Sequence, residues 1–262
     1  MQKKINYKDV EVVYSDVGEG PCILFLHGYL ESGGVWEGFA ELFRDRFRVL
    51  IMDLPGHGKS GTWGSIHSME ELAESLYALL EAEKIGKIFL VGHSMGGYVT
   101  MAFAEKYPES LMGYSLFHST CFADSEEKKV NRDREISLVQ CRKKRQIINV
   151  NIPKGFADDN VERLKSEVDR VRNLALGNPD NGIVAILNGM RQRPDRTHVL
   201  KDPQIPVLLI GGMKDNYIPK EVFEMLVDLA PHARVLRLKE SGHMGFIEEP
   251  EAAARAILTM VE

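Results

Sequence analysis

Ile88-Phe89-Leu90-Val91-Gly92-His93-Ser94-Met95-Gly96-Gly97 is the stretch on which the reading of this chain turns. Four apolar residues lead into G-x-S-x-G, and helical periodicity then runs from Met95 to Tyr107, where Pro108 stops it. Strand, sharp turn and helix is the setting that exposes a serine as a nucleophile. The spacing has a steric cause. A residue on so tight a turn adopts strained backbone angles, and bulky neighbours two positions away on either side would collide. Gly92 and Gly96 stand there, and Gly97 lets the helix approach the sheet more closely still.

The same alternation extends in both directions. Upstream, Ile5 to Val17 reads as two strands around a turn, and Cys22 to His27 as a strand buried on both faces. Val35–Phe43 is expected to be a helix, Arg48–Asp53 a strand, and Met69–Glu83 an amphipathic helix with Leu72, Leu76, Leu79 and Leu80 on one stripe. Downstream, Leu111–Phe117 is a strand. From Asp124 to about Arg193 helical periodicity and charge replace strand signals, with breaks at Pro153 and Asn178-Pro179. Alternation then resumes as strand Pro206–Ile210, helix Lys220–Leu229, strand Arg234–Leu238 and helix Glu251–Val261. Repeated alternation implies an α/β fold, a mostly parallel sheet with helices on both faces. Residues 1–119 and 201–262 are expected to form one core domain, and 120–200 an all-helical cap inserted between two of its strands.

Composition narrows the function. The 262 residues are 44% hydrophobic, ordinary for a globular chain, and no apolar run approaches the ~18 residues that span a bilayer. The N-terminus MQKKINYKDV has no apolar signal stretch, so a cytoplasmic location is expected. Cys22, Cys121 and Cys141 are an odd count without C-x-x-C spacing, which encodes neither a disulfide framework nor a zinc site. A net charge of −5 argues against nucleic acid as partner. Between Ser119 and Val199 there are nonetheless 16 Lys/Arg against 12 Asp/Glu. Arg142-Lys143-Lys144-Arg145 supplies much of that excess and reads as a solvated face.

Three further motifs lie outside the opening stretch: His27-Gly28-Tyr29 after one strand, Asp53-Leu54-Pro55-Gly56-His57-Gly58-Lys59-Ser60 after the next, and Ser241-Gly242-His243 near the end. With G-x-S-x-G, these make the chain resemble the α/β-hydrolase family over almost its whole length. The resemblance implies an eight-stranded sheet with the cap between strands 6 and 7, and a triad in the order nucleophile, acid, histidine. Asp215, in Gly211-Gly212-Met213-Lys214-Asp215, fits the acid's place and His243 the histidine's, 28 residues later. It also implies an oxyanion hole from the backbone N–H groups of Tyr29 and Met95. Dehalogenases and epoxide hydrolases of the family carry Asp at the elbow, so Ser94 points away from both.

Elementary chemistry asks for the same three groups. A serine hydroxyl needs an adjacent imidazole to take its proton, and the imidazole needs a carboxylate to fix its tautomer. All three residues follow expected strands, where loops converge in parallel sheets. Asp124 is the fallback acid. The GKS ending at Ser60 is not a phosphate loop, because Asp53 and Pro55 stand where such a loop needs Gly and a tight turn. His27 and His57 are expected to brace loops, and His93 to face away from the pocket. His118, Phe122, Leu187, Met190 and Met244 are candidate pocket residues, with Phe156 a further apolar side chain expected to face inward. The expectation is a serine hydrolase of small-to-medium carboxylic esters, working through an acyl-enzyme without cofactor or metal. Its partner is a small-molecule ester, and no motif specifies an oligomeric state. Lactonases and C–C bond hydrolases on the same triad are alternatives, as is a slow-turnover ligand receptor of the same fold.

Overall fold

The computed structural model describes residues 1–262. Eight strands form one sheet: β1 Gln2–Tyr7, β2 Val10–Val17, β3 Cys22–Leu26, β4 Arg48–Met52, β5 Ile88–His93, β6 Leu111–Phe117, β7 Val207–Gly212 and β8 Arg234–Leu238. Their order is β1-β2-β4-β3-β5-β6-β7-β8. β1 and β2 form an antiparallel hairpin, β2 pairs antiparallel with β4, and every other pairing is parallel. The hairpin turns on Lys8 and Asp9, both at positive φ, which matches the right-handed twist of the flanking strands. The order reverses between β3 and β5, and ligands of open parallel sheets gather beyond the strand ends at such a switch point. Leu26 lies in register with Gly92 there, so the loops after β3 and β5 start side by side.

The core-packing helices are α1 Glu37–Ala40, α2 Met69–Glu83, α3 Met95–Lys106, α10 Lys220–Leu229, α11 Gly245–Glu248 and α12 Pro250–Val261. Ser68 begins α2 with a capping box to Glu71, the arrangement that satisfies two orphan N–H groups at a helix start. Between β6 and β7 lie only helices: α4 Glu126–Gln140, α5 Lys144–Lys154, α6 Asp158–Val161, α7 Lys165–Gly177, α8 Asp180–Gln192 and α9 Thr197–Lys201. No helix is long and apolar enough to cross a membrane.

One expected element takes a different form. In place of a regular helix over 35–43, a 3-10 turn at Gly33–Trp36 leads into the single α turn of α1. Aromatic packing sets this path. Trp36, Phe39 and Phe43 all reach Phe25, with ring centroids 5.0, 6.0 and 5.5 Å away, and Trp36 also meets Phe246 at 4.2 Å. Tertiary burial outweighs the helical spacing of these residues.

Candidate active site

Ser94 begins α3 at φ +50 and ψ −113, a conformation a non-glycine residue holds only when its surroundings over-determine it. Its N–H donates to Phe117 O at 3.0 Å, and its carbonyl accepts from Ser119 Oγ at 2.7 Å and Gly97 N at 2.9 Å. A Cβ on Gly92 would lie 2.3 Å from Thr100 Oγ1, and one on Gly96 2.6 Å from Leu26 O. The glycines at the second positions before and after the serine are therefore steric requirements. Leu30 and His118, also at positive φ, complete a ring of strained residues around the strand ends.

Asp215 and His243 meet. His243 Nδ1 donates to Asp215 Oδ2 at 2.8 Å, while Asp215 Oδ1 accepts the N–H groups of Tyr217 at 2.7 Å and Ile218 at 2.9 Å. Burial alone would raise the Asp215 carboxyl, but the charge of His243 and hydrogen bonds from His118 and His243 hold it far below the carboxylate range. Burial would lower the His243 imidazole, and the Asp215 carboxylate reverses this and holds it above its ordinary value. With Nδ1 committed to Asp215, Nε2 is the nitrogen left to accept a proton. His243 and Ser94 line the same cleft, about 840 Å³ in volume, between the strand ends and helices α4 and α5.

The Gly28–Glu31 loop is held on both sides. Gly28 N donates to Glu31 Oε2 at 2.6 Å and Leu30 N to His57 Nε2 at 3.2 Å, whereas the Tyr29 N–H between them has no hydrogen-bond acceptor. Met95 is the first residue of α3, so its N–H has no intrahelical partner either. His27 accepts the Leu54 N–H on Nε2 at 3.0 Å and donates from Nδ1 to Gly28 O at 2.9 Å. Both His27 and His57 thus tie this loop to the one after β4.

His93 does point away from the cleft, into the protein. Its ring lies between Glu31 Oε2 (3.0 Å from Nδ1) and the His243 carbonyl (2.8 Å from Nε2). The ring thus bridges the Glu31 carboxylate and the backbone of His243. Burial would raise the Glu31 carboxyl, and His93 together with the Gly28 N–H lowers it instead. One buried pair thereby fixes the Tyr29 loop, the residue before Ser94 and the backbone of His243. Glu31→Ala should leave the His93 ring and the Gly28 N–H without an acceptor, at a cost of about 1–3 kcal/mol. Urea unfolding checks this, and a loss below about 1 kcal/mol would contradict it.

The candidate pocket residues divide. Met190 and Met244 line the cleft, as does Tyr29. His118, Phe122 and Leu187 do not. His118 is buried behind the acid, 3.4 Å from Asp215 Oδ2, where the N–H groups of Gly212 (3.0 Å from Nδ1) and Gly245 (3.1 Å from Nε2) oppose a second ring proton. Burial holds this imidazole down at about 4 despite Asp215. Leu187 is fully buried on α8, on the side turned into the core, and Phe156 lies fully buried under Gly242. Phe122 packs half-buried against the core. Asp124, the fallback acid, is far from free: Arg132 Nε lies 3.0 Å and Arg193 2.7 Å from its oxygens.

Besides Glu31, three residues around the site gave no sign of a role in the sequence. Glu248 accepts Gly242 N at 2.8 Å and Met244 N at 3.2 Å on one oxygen, bracketing His243, and Ala157 N and Asn160 Nδ2 on the other. Asn178, between α7 and α8, donates to Glu31 O at 3.1 Å and accepts from Gly58 N at 2.8 Å. Gly155, after α5, accepts the His243 N–H at 2.7 Å. Such partners follow strand ends and helix junctions too distant in sequence for any spacing to signal them.

His118, Asp215 and His243 also place three ligand-type atoms within 4.8 Å of one another, the spacing of a metal site. The ligand-type atoms are already engaged, His118 Nε2 by the Gly245 N–H and the Nδ1 atoms of His118 and His243 by the Asp215 carboxylate, so the set fits an acid–imidazole pair better than a cation. The three cysteines are unpaired. Arg142, Lys143 and Arg145 are exposed.

A model of the family described as alpha/beta hydrolase fold matches residues 21–114 and 134–250. A thermophilic esterase from Thermogutta terrifontis, solved with malate bound, superposes with a TM-score of 0.94 at 30% identity over the full length of both chains. The pimeloyl-(acyl-carrier protein) methyl ester esterase of Yersinia enterocolitica is 24% identical over 258 residues, 96% of this chain and 98% of that one. The 2-hydroxy-6-oxononadienedioate/2-hydroxy-6-oxononatrienedioate hydrolase of Burkholderia vietnamiensis is 28% identical over 265 residues, 95% of this chain and 90% of that one.

Proposed function

The chain belongs to the α/β-hydrolase fold family; from that premise we propose that it is a serine hydrolase cleaving small-to-medium carboxylic esters through an acyl-enzyme. The observation that carries the reading is the strained Ser94 opening onto the same cleft as His243, whose Nδ1 is held 2.8 Å from the Asp215 carboxylate. Ser94 Oγ attacks the ester carbonyl as His243 Nε2 takes its proton. The tetrahedral oxyanion lies against the Tyr29 and Met95 N–H groups, one unbonded in its loop and the other at a helix N-terminus. His243 returns the proton to the leaving alcohol. Water, deprotonated by the same imidazole, then attacks the acyl-serine and releases the acid and Ser94. The residues need no cofactor for these steps. Met190 and Met244 border the cleft and are placed to contact the substrate, and helices α4 and α5 cover it as a cap. Two of the three relatives carry esterase names, which supports an ester substrate, while the third is a C–C bond hydrolase.

A panel of aryl esters of graded acyl length, together with simple lactones, tests this. The best ester should turn over at ~1–10³ s⁻¹. Slow, near-stoichiometric release from every ester would identify a ligand receptor, and faster lactone opening would move the substrate class. Met190→Ala should shift the preferred acyl length by a few carbons, since one methylene in an apolar pocket is worth ~1–3 kcal/mol. Leu187→Ala, which changes a core contact, should leave that preference in place and lower stability by about 2–5 kcal/mol. An acyl-length profile that moves with Leu187 and ignores Met190 would reverse the assignment.

A further inference from the structure

One guanidinium in the cleft is only half used. Asp124, whose side chain is fully buried, lies between two arginines, 3.0 Å from Arg132 Nε and 2.7 Å from Arg193 Nη1. The two arginines differ in what else they bind. Arg193 donates to the carbonyls of Phe122 at 3.1 Å and Met190 at 3.0 Å, and its guanidinium lies 3.8 Å from the centre of the Tyr98 ring. Arg132 lines the cleft, with 18% of its side chain exposed, and its one hydrogen bond runs from Nε to Asp124. Its Nη1 and Nη2 make no hydrogen bond within the protein and are not sealed from the cleft. One carboxylate against two guanidiniums also leaves the cluster one negative charge short, and Arg132 pairs with no other acid.

The unused donors select the group they can hold. A guanidinium has no acceptor, so it refuses an ammonium by both hydrogen bonding and charge. A neutral carbonyl would satisfy one N–H and leave the charge unanswered. A carboxylate does both: it accepts from Nη1 and Nη2 together and supplies the single missing charge. The surroundings agree. Lys128, one turn back on the same face of α4, lines the cleft with Arg134 and Lys154, and none of the three forms an ion pair. Among the lining acids, Glu31 is bound to His93 and the Gly28 N–H, so Glu127 and Glu135 alone oppose four cations. Tyr98, which carries Arg193 on its ring, stands one helical turn along α3 from Ser94, so the cluster lies beside the nucleophile's own helix turn. We infer that Arg132 Nη1 and Nη2 form a subsite for a carboxylate of the substrate, so that the favoured esters keep a free carboxylate away from the scissile bond.

This inference rests on the serine-hydrolase reading, and the test separates the two. The substrates are monomethyl esters of unbranched diacids with four to nine carbons. Each is set against the methyl esters in which a primary amide, an isopropyl group or an aminomethyl group replaces the free carboxylate. Carboxylate, amide and isopropyl share one heavy-atom outline, so charge and acceptor capacity are what change, and the aminomethyl ester brings an ammonium. The readout is the ratio of kcat/KM within each set, followed by acid release. At the best length the carboxylate should be preferred over all three by about tenfold or more, since a bidentate pair with Arg is among the strong hydrogen-bonded contacts. Arg132→Gln should bring that ratio to within about threefold of one, whatever it does to the absolute rates. Arg132→Lys keeps the charge without the planar fork and should lower the ratio less. Lys129→Gln removes the same charge outside the cleft, where Lys129 pairs with Glu126, and should leave the ratio as it was. Circular dichroism melting monitors folding, and if Arg132→Gln does not fold, the fall in Arg132→Lys decides. An amide as good as the carboxylate, a preferred ammonium, ratios near one at every length, or a ratio that survives the Arg132 substitutions would overturn the subsite. If no ester of any kind is hydrolysed and Ser94 resists acylation, the serine-hydrolase reading fails instead.

Discussion

Ser94→Ala should lower kcat on the best ester by about 10⁵–10⁶-fold, the scale seen when the nucleophile of a triad is removed. None of the other serines sits on a strained turn between a buried strand and a helix N-terminus, so no substitute nucleophile exists in the cleft. Ser125, the other serine lining it, caps α4 by accepting from Lys128 N at 3.3 Å. A fluorophosphonate probe should therefore modify one peptide, the one holding Ser94, and Ser94→Ala should abolish labelling while the thermal melt stays close to that of the parent. An adduct on any other serine, or retained turnover in Ser94→Ala, would remove Ser94 from the mechanism.

Asp215→Asn should reduce kcat by about 10⁴-fold with the fold intact, because an amide donates toward Nδ1 and drives the histidine into the wrong tautomer. The pH profile adds a second readout. His243 must be neutral to act as base, and the Asp215 charge holds its pKa above the ordinary 6.5. Activity of the parent should therefore be full on the alkaline side of neutrality and fall as pH drops through that raised value. Without that carboxylate the largest influence opposing burial is gone and only the Glu31 and Glu248 charges still raise the ring, so the residual activity of Asp215→Asn should keep its level to lower pH. Asp124→Asn should disturb the Arg132 and Arg193 contacts and lower stability, yet leave the acid limb where it is. An acid limb that moves with Asp124 and ignores Asp215 would exchange their roles.

The parts of the site that could be read in the sequence share a property. Each is a local steric or chemical requirement that shows within a few residues. Gly92 and Gly96 are small because Thr100 and Leu26 leave no room, and this constraint is written as G-x-S-x-G whatever surrounds it. Strand placement was similarly legible, since burial on both faces leaves continuous apolar runs such as Cys22–Leu26. Pocket lining was not legible. Helical periodicity identifies the apolar face of α8 but not what that face meets: Leu187 turns into the core while Met190, three residues on, reaches the cleft. Glu31 and Glu248 were hidden for the opposite reason. A glutamate in a polar loop reads as solvated, and only the assembled fold brings it a buried imidazole or two backbone N–H groups.

The segment between β6 and β7 is stitched to the residues around His243 and Glu31. Gly155 accepts the His243 N–H, Asn178 joins Glu31 to Gly58, and Ala157 and Asn160 share the Glu248 carboxylate that brackets His243. Heredity meets a constraint here. A segment fastened in this way is a poor unit of recombination: exchanging it whole for the equivalent stretch of a relative would import a new substrate wall and, in the same stroke, cut the ties that aim the imidazole. Single replacements on the cleft-facing turns of α4 and α5 would instead alter that wall and leave the carbonyl of Gly155 and the side-chain amide of Asn178 in place.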